Sequence, residues 1–442
     1  MYIKRQIDSE LIAWRNSPEN KPILLRGARQ VGKTNTIRQL SKQFENYLEI
    51  NFEENLQVHS VFSGNLSPDE LCENLSAIFN ISIRSGKTLL FFDEIQTCIP
   101  AIRSLRFFYE KMPELHVVAA GSLIEFALTE IPSFGVGRVR SMFMYPMSFD
   151  EFLSACDENF LLAKKNDASP ENPLNIALHI KLLNYLKKFI IIGGMPEVIS
   201  TYIKTKDINR CKQILDDLIF SLNDDFRKYK KLVPVSRIRE VYDSVVMQSG
   251  SKFVYSKAAI QSNHKQVKEA LELLIMAGLV YPVKHTAANG LPLGAEVNPK
   301  KQKMILYDTG IFLRILDFDI ADILISKNFN TINKGNIAEQ FVGLELLKAT
   351  SCYKKRNLYY WHREAKNSNA EVDYLISKND EIFPIEVKAG TKGSMQSMHL
   401  FLQEKKRKKG IRISNENFSH FNNIDVYPLY ATSNIIAQPI TK

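Results

Sequence analysis

The sequence predicts an α/β protein of several domains. A parallel-sheet core comes first, a helical stretch follows, and a second α/β domain lies near the C-terminus. Three observations lead there. Residues 22–25 (PILL) are a short apolar run, followed by the glycine-rich stretch 27–34 (GARQVGKT) and then by Ile37, Leu40 and Phe44 at helical spacing. Residues 88–94 read TLLFFDE, apolar residues that run into two acids without alternating, as in a strand covered on both faces. Residues 358–361, 370–377 and 382–387 read as strands of a separate sheet.

The first stretch fits G-x-x-x-x-G-K-[ST] between a strand and a helix, the context that a phosphate-binding loop requires. Gly27 and Gly32 let the backbone turn its N–H groups toward one point. The helix that follows adds the positive end of its dipole. The expected ATP cradle is therefore Gly27, Ala28, Arg29, Gln30, Val31, Gly32, Lys33 and Thr34. Lys33 would reach the β- and γ-phosphates, and the Thr34 hydroxyl would ligate Mg²⁺. A glycine-rich turn that matches by chance would lack the strand and helix.

Composition narrows the class. At 442 residues the chain holds two to four domains with real cores. Its 45% apolar and 24% charged content is that of an ordinary globular protein. The net charge of +10 admits an anionic partner without identifying one. Cys72, Cys98, Cys156, Cys211 and Cys352 are scattered and form no C-x-x-C pair, which argues for a reducing compartment and against a zinc site. The first residues carry no apolar core, so no signal peptide is expected, and no window approaches a membrane span. These features predict a cytoplasmic protein without a membrane partner.

In chain order, residues 1–20 read as a helix with Ile7, Leu11 and Trp14 on one face. Leu48, Ile50 and Phe52 alternate as a strand, and residues 68–85 read as a helix with Leu71, Leu75 and Ile78 in phase. The strand at 88–94 comes 60 residues after Lys33 and resembles the second NTPase signature. Asp93 would hold Mg²⁺ through water, and Glu94 would polarise the attacking water. A strand over 116–120 ends at Gly121 and Ser122. Ser122 could contact the γ-phosphate or the water, or be no more than a strand-end serine. A Gly/Pro-rich segment, 132–137, precedes Arg138, Arg140 and a strand through Tyr145. The Arg138 guanidinium could stabilise transition-state charge, in cis or from a neighbouring subunit; a surface arginine explains it as well.

GARQVGKT, LLFFDEIQ, AAGS, GVGR and YPMSFDEFL, in that order, resemble the prokaryotic AAA-superfamily ATPases that carry a C-terminal DUF-type domain with a restriction-endonuclease-like end. The resemblance covers nearly the whole chain. It implies a parallel sheet in which the strand ending at Ser122 lies between the two signature strands. It puts the sensor position on Ser122 and a G-R pair on Gly137 and Arg138. Residues 157–173 are polar and read as a loop or insertion. Helices are expected over 174–192 and 208–225, with GGMPEVI (193–199) between them, and the resemblance makes these the lid behind the nucleotide.

Residues 256–260 read as a short helix, 262–264 as a turn and 265–277 as a longer helix capped by Gly278, with a strand from Leu279. That order resembles a winged helix, with Lys265, Gln266 and Lys268 where a recognition helix would meet DNA. Winged helices also serve as protein-interaction modules.

A second constellation begins with a helix over 337–348 that carries Glu339. Asp373 lies at the centre of EVDYLI, and Glu386 and Lys388 lie in IEVK. Residues two apart on a strand share a face, and a hairpin at Asn379-Asp380 brings Asp373 alongside. The pattern D-x₁₂-E-x-K resembles the PD-(D/E)XK nuclease core. It implies a Mg²⁺ site on Glu339, Asp373 and Glu386, with Lys388 orienting a water. Strand-end ion pairs are the alternative. KKRKK (405–409) follows a helix from about 394 and reads either as a solvated helix end or as a phosphate contact.

The predicted organisation is a P-loop ATPase core (1–155), a helical lid (156–230), a winged-helix-like domain (231–325) and a restriction-endonuclease-like α/β domain of PD-(D/E)XK type (326–442). The expected function is an AAA-type protein that binds and hydrolyses ATP and acts on DNA or other nucleic acid through the winged helix and a metal-dependent nuclease-like domain. A homo-oligomer is compatible with this. The alternative is an ATP-gated binding or signalling switch whose nuclease-like domain binds without cutting.

Overall fold

The computed structural model describes residues 2–131, 135, 137–229, 233–258, 264–317, 334–364, 370–390 and 395–437. The chain divides into two units, the first formed by Met1–Tyr145 with Met276–Gly278 and Ser351–Lys355. Its sheet contains β1 (Ile23–Arg26), β2 (Asn46–Asn51), β3 (Thr88–Asp93), β4 (His116–Ala120) and β5 (Arg140–Phe143) in the order β2-β3-β4-β1-β5. Every pairing is parallel. β4 thus lies between the strand that enters the glycine loop and the strand that ends at Asp93, as the resemblance implies. All of β3 and β4 is buried, which explains their unbroken apolar runs.

The helix Lys33–Ser41 leaves the glycine loop and buries Ile37 and Leu40, and the helix Ile7–Arg15 buries Ile7, Leu11 and Trp14. Phe52, Phe62 and Phe92 meet edge to face, with centroids 5.4 to 5.7 Å apart. The helix expected over 68–85 spans Pro68–Phe79 and stops there, because Asn80 turns left-handed and returns its N–H to Ser76. Ile78 is 48% exposed; Phe79 packs on the core in its place.

The second unit comprises Pro146–Ile275, Leu279–Thr350 and Arg356–Lys442. The sequence SFDE opens the helix Phe149–Ala155 with a capping box. Ser148 Oγ accepts the Glu151 N–H, and Glu151 Oε2 accepts the Ser148 N–H at 2.8 Å. The expected loop at 157–173 instead contains the helix Asn159–Asp167. Its inner face is Leu161 and the fully buried Lys165, which pairs with Asp150 at 2.8 Å and donates to Ser433 Oγ and Asn434 Oδ1. A lysine with three partners stands where an apolar residue would have marked the helix.

Helices Ile176–Ile192, Pro196–Thr205 and Ile208–Asp225 follow. Between the first two, Gly194 N–H donates to Asp308 Oδ2 at 2.6 Å, and Asp308 also caps the helix Thr309–Ile315. The GGM of GGMPEVI is thus a turn pinned by a buried carboxylate, and PEVI opens the next helix.

Helices Tyr255–Ala258 and His264–Met276 precede β6 (Val280–Thr286) and β7 (Val297–Leu306), in the expected order. The expected turn residues Ser262 and Asn263 lie outside the described residues, as do 132–134 and 136 of the Gly/Pro-rich segment. β6 and β7 do not stand apart. β6 pairs in parallel with β8 (Leu358–His362), so the hairpin is one margin of an eight-stranded sheet. β9 (Glu371–Lys378), β10 (Glu381–Val387), β11 (Gly410–Ser414), β12 (Ser419–Phe421) and β13 (Ile424–Pro428) complete it in the order β12-β13-β11-β10-β9-β8-β6-β7. β9 and β10 form the expected hairpin, turned by Asn379 and Asp380, both at positive φ. No helix among the described residues is long and apolar enough to cross a membrane.

Candidate functional site

The glycine loop is held open by its backbone. Gly27 has φ +153°, and a Cβ there would lie 2.1 Å from the Met144 carbonyl oxygen, so only glycine fits. Gly32 (φ 97°) starts the helix. Lys33 is buried, and its ammonium donates to the carbonyls of Gly27 at 3.0 Å and Ala28 at 2.8 Å. Burial lowers its pKa to about 8, while Glu94 and Asp93 pull it up and Arg29 pushes it down. Sequence reasoning missed Arg5. Its buried guanidinium donates to Val31 O and Tyr145 O, each at 2.8 Å, and so ties the loop to the segment after β5. Asp8 accepts from the Arg5 N–H and from the Tyr2 hydroxyl.

The two motifs meet at one point. Thr34 Oγ1 donates to Asp93 Oδ2 at 2.8 Å, and the Glu94 N–H donates to Asp93 Oδ1 at 3.1 Å. Burial raises the Asp93 pKa, with the Thr34 bond opposing it. These hard oxygens, a hydroxyl and a carboxylate in contact, fit Mg²⁺. Glu94 itself is left-handed, at φ 49°. Its Oε2 accepts from Gln96 Nε2 at 2.6 Å. Ser122 is buried just beyond β4. Arg138 is half-exposed and forms an ion pair with Glu110.

The second constellation gathers in the second unit. The Val387 N–H donates to Asp373 Oδ2 at 2.7 Å, and Lys388 Nζ donates to Glu386 Oε1 at 2.6 Å. Glu339, on the helix Lys334–Lys348, accepts from Lys303 Nζ at 2.8 Å, and Lys303 also pairs with Glu371. Burial raises the pKa of Glu339 and of Glu386 to about 7. It raises Asp373 too, although Lys303 pulls Asp373 down. Burial disfavours the Lys303 charge, but Glu339, Asp373 and Glu371 outweigh it and raise that pKa. Among the described residues, no three His, Cys, Asp or Glu side chains are disposed to hold a metal ion. A divalent ion on these acids would have to displace the ammoniums of Lys303 and Lys388. Lys303 was missed because β7 carries four lysine or glutamine residues in a row, and only the fold tells which one points inward.

Lys265 and Lys268 are exposed and pair loosely with Glu269 and Glu272 one turn on. The helix before the basic run spans Gln396–Glu404, and residue 394 lies outside the described residues. Lys405 Nζ donates to Asn289 Oδ1 at 2.8 Å.

Parallel strand order, glycine loop and the Thr34–Asp93 contact together define a P-loop ATPase-type core. Residues 19–153 match the family model described as an AAA domain, so the chain carries an AAA-type P-loop ATPase domain. Residues 183–322 and 334–432 match two further models, each described as a domain of unknown function (DUF8612 and DUF4143). The uncharacterized protein MJ1544 of Methanocaldococcus jannaschii is 26% identical over 394 residues, 87% of this chain and 77% of the relative. Among solved structures, the Walker-type ATPase PABY2304 of Pyrococcus abyssi is 14% identical with a TM-score of 0.46, covering 71% of this chain and 96% of that one. C. elegans PCH-2 is 14% identical with a TM-score of 0.28, covering 47% of this chain and 64% of that one.

Proposed function

We propose that this protein binds and hydrolyses ATP at the Gly27–Thr34 loop. The observation that carries this reading is the 2.8 Å bond from Thr34 to Asp93, which joins the first turn of the helix after the loop to the end of β3, 59 residues on in sequence. The loop N–H groups and Lys33 would hold the phosphates, with the Lys33 ammonium exchanging its two loop carbonyls for phosphate oxygens. Thr34 and Asp93 would hold Mg²⁺, which when bound neutralises phosphate charge. Glu94 would take the proton of the attacking water. Ser122 would contact the γ-phosphate, and Arg138 would act only after leaving Glu110, in cis or toward a second copy of the chain. In the test, Lys33→Ala abolishes nucleotide binding in calorimetry, whereas Glu94→Gln keeps binding and loses turnover. Turnover by Glu94→Gln at the unsubstituted rate would reject the Glu94 assignment.

For the second unit we propose nucleic-acid binding through the helix carrying Lys265 and Lys268, with the C-terminal acids as a lysine-paired site that binds without cutting. The position of Lys303 supports binding over cleavage, because its ammonium already pairs with Glu339 and Glu371. Cleavage of plasmid or single-stranded DNA that requires Mg²⁺ or Mn²⁺ and is lost in Asp373→Ala would restore the nuclease reading.

A further inference from the structure

We propose that Gln96 is a positioning residue for ATP hydrolysis, a strut that fixes the Glu94 carboxylate against the end of β4. The proposal rests on reading Glu94 as the group that takes the water's proton. Glu94 lies beyond the end of β3 in left-handed backbone, so its side chain has no strand to orient it. The next three residues, Ile95–Thr97, make one tight turn, anchored by the fully buried Ile95. That turn carries the Gln96 side chain back over Glu94, where Nε2 donates to Glu94 Oε2 at 2.6 Å.

An ionised carboxylate only accepts hydrogen bonds, so the amide must present its nitrogen to Glu94 and its oxygen to the other side. On that side Oε1 is buried, and among the described residues it has no hydrogen-bond partner. It rests against Gly121, where an added Cβ would lie 1.9 Å from Oε1 and 3.0 Å from Cδ. Gly121 immediately precedes the buried Ser122. The amide therefore spans from the base of one strand end to the backbone of its neighbour. A buried acceptor left unmet costs stability, and a side chain kept only for packing would avoid that cost by being apolar. A role in holding Glu94 explains both ends of the amide. One carboxylate oxygen is tied down, the carboxylate loses its free rotation, and the other oxygen is offered to the attacking water. A base misplaced by an ångström loses roughly 100-fold in rate.

Two perturbations reach the strut from opposite ends. Gln96→Leu keeps the bulk and removes the donor. Gly121→Ala leaves Gln96 in place but forces its flexible amide tip out of the position in which it bonds Glu94; Gly121 does not need positive φ, so the backbone accepts alanine. In each variant of the full chain, kcat for ATP falls roughly 10- to 100-fold. KM for ATP and the calorimetric Kd for a non-hydrolysable ATP analogue stay within about twofold, because both residues lie outside the Gly27–Thr34 loop. The double variant is no slower than Gln96→Leu alone, since both changes remove one strut. A purely structural role would instead lower the melting temperature and nucleotide affinity together. If Gln96→Leu folds poorly, Gly121→Ala alone carries the test. Unchanged kcat in either folded variant, with Glu94→Gln inactive, overturns the strut and leaves the ATPase reading intact. Fully multiplicative losses in the double variant overturn it too. Equal turnover by the unsubstituted protein and Glu94→Gln removes the base assignment and this proposal with it.

Discussion

Replacing Lys303 with methionine removes one charge and little volume from a site that is 1% exposed. The ammonium is the hydrogen-bonded partner of Glu339 and pairs with Glu371, and it lowers the pKa of Asp373. Taking one partner from a buried ion pair costs about 3 to 5 kcal/mol, because the remaining charge is left uncompensated. Protonation limits that cost. The Glu339 pKa is already raised to about 7 with Lys303 pulling it down, so without the lysine it stands higher still. A carboxyl whose folded pKa is raised is favoured by folding at low pH, and that contribution is lost as pH rises through the folded pKa. Each pH unit below the folded pKa relieves about 1.4 kcal/mol, down to the ordinary carboxylate range. The Lys303→Met penalty is therefore about 3 to 5 kcal/mol at pH 8 and smaller by up to about 1.4 kcal/mol at pH 6, since Glu339 of the parent, with its pKa about 7, already gains over part of that interval. Urea titration at the two pH values measures it. Trp361, buried on β8 and edge-on to Phe401 at 5.2 Å, reports the second unit once Trp14→Phe silences the other tryptophan. Equal midpoints for the variant and its parent at both pH values would refute the reasoning. Adding Glu339→Gln to Lys303→Met should recover part of the loss at pH 8.

Three further outcomes are expected. Lys33 has a pKa near 8 in the free protein, and a bound phosphate stabilises its charge. Above pH 8 nucleotide binding should take up a proton and weaken, which calorimetry in buffers of different ionisation enthalpy detects. Arg5→Met removes two bonds to the carbonyls of Val31 and Tyr145, the first of them buried. It should lower stability by about 2 to 4 kcal/mol and weaken nucleotide binding, seen as a lower melting temperature and a higher Kd. Lys265→Glu with Lys268→Glu should weaken DNA binding and flatten its dependence on salt in anisotropy titrations; an unchanged slope would assign that helix to protein contacts.

The parts legible in the sequence were those whose signal is local. β3 announced itself as six consecutive buried residues, and the loop from Gly27 to Thr34 carries its chemistry in eight adjacent positions. The Asn379-Asp380 turn and the two-residue spacing of Glu386 and Lys388 read equally well, because a hairpin is local too. What stayed hidden depends on distant partners. Lys165 looks like solvated surface until Asp150, Ser433 and Asn434 surround it. Lys303 looks like one of several polar residues on a strand until Glu339 and Glu371 claim it. The parallel register of Val283–His285 against Leu358–Tyr360 leaves no trace in either segment alone, so the strand from Leu279 read as part of a separate winged helix.

That register governs how the chain can be divided. β8 has a neighbour on each side, β6 and β9. A fragment beginning at residue 334 would match the last family model completely and still lack β6 and β7. The N–H and C=O groups of Leu358, Tyr359 and Tyr360 that face β6 would then meet water along a margin lined by buried apolar side chains. An open strand of that kind recruits other chains, so the excised piece would self-associate through β8. In folding terms, the C-terminal sheet cannot close until a strand synthesised about 75 residues earlier returns to it, a long loop closure that slows folding. The boundary between the two domains of unknown function is thus a boundary between sequence patterns, crossed by an unbroken sheet.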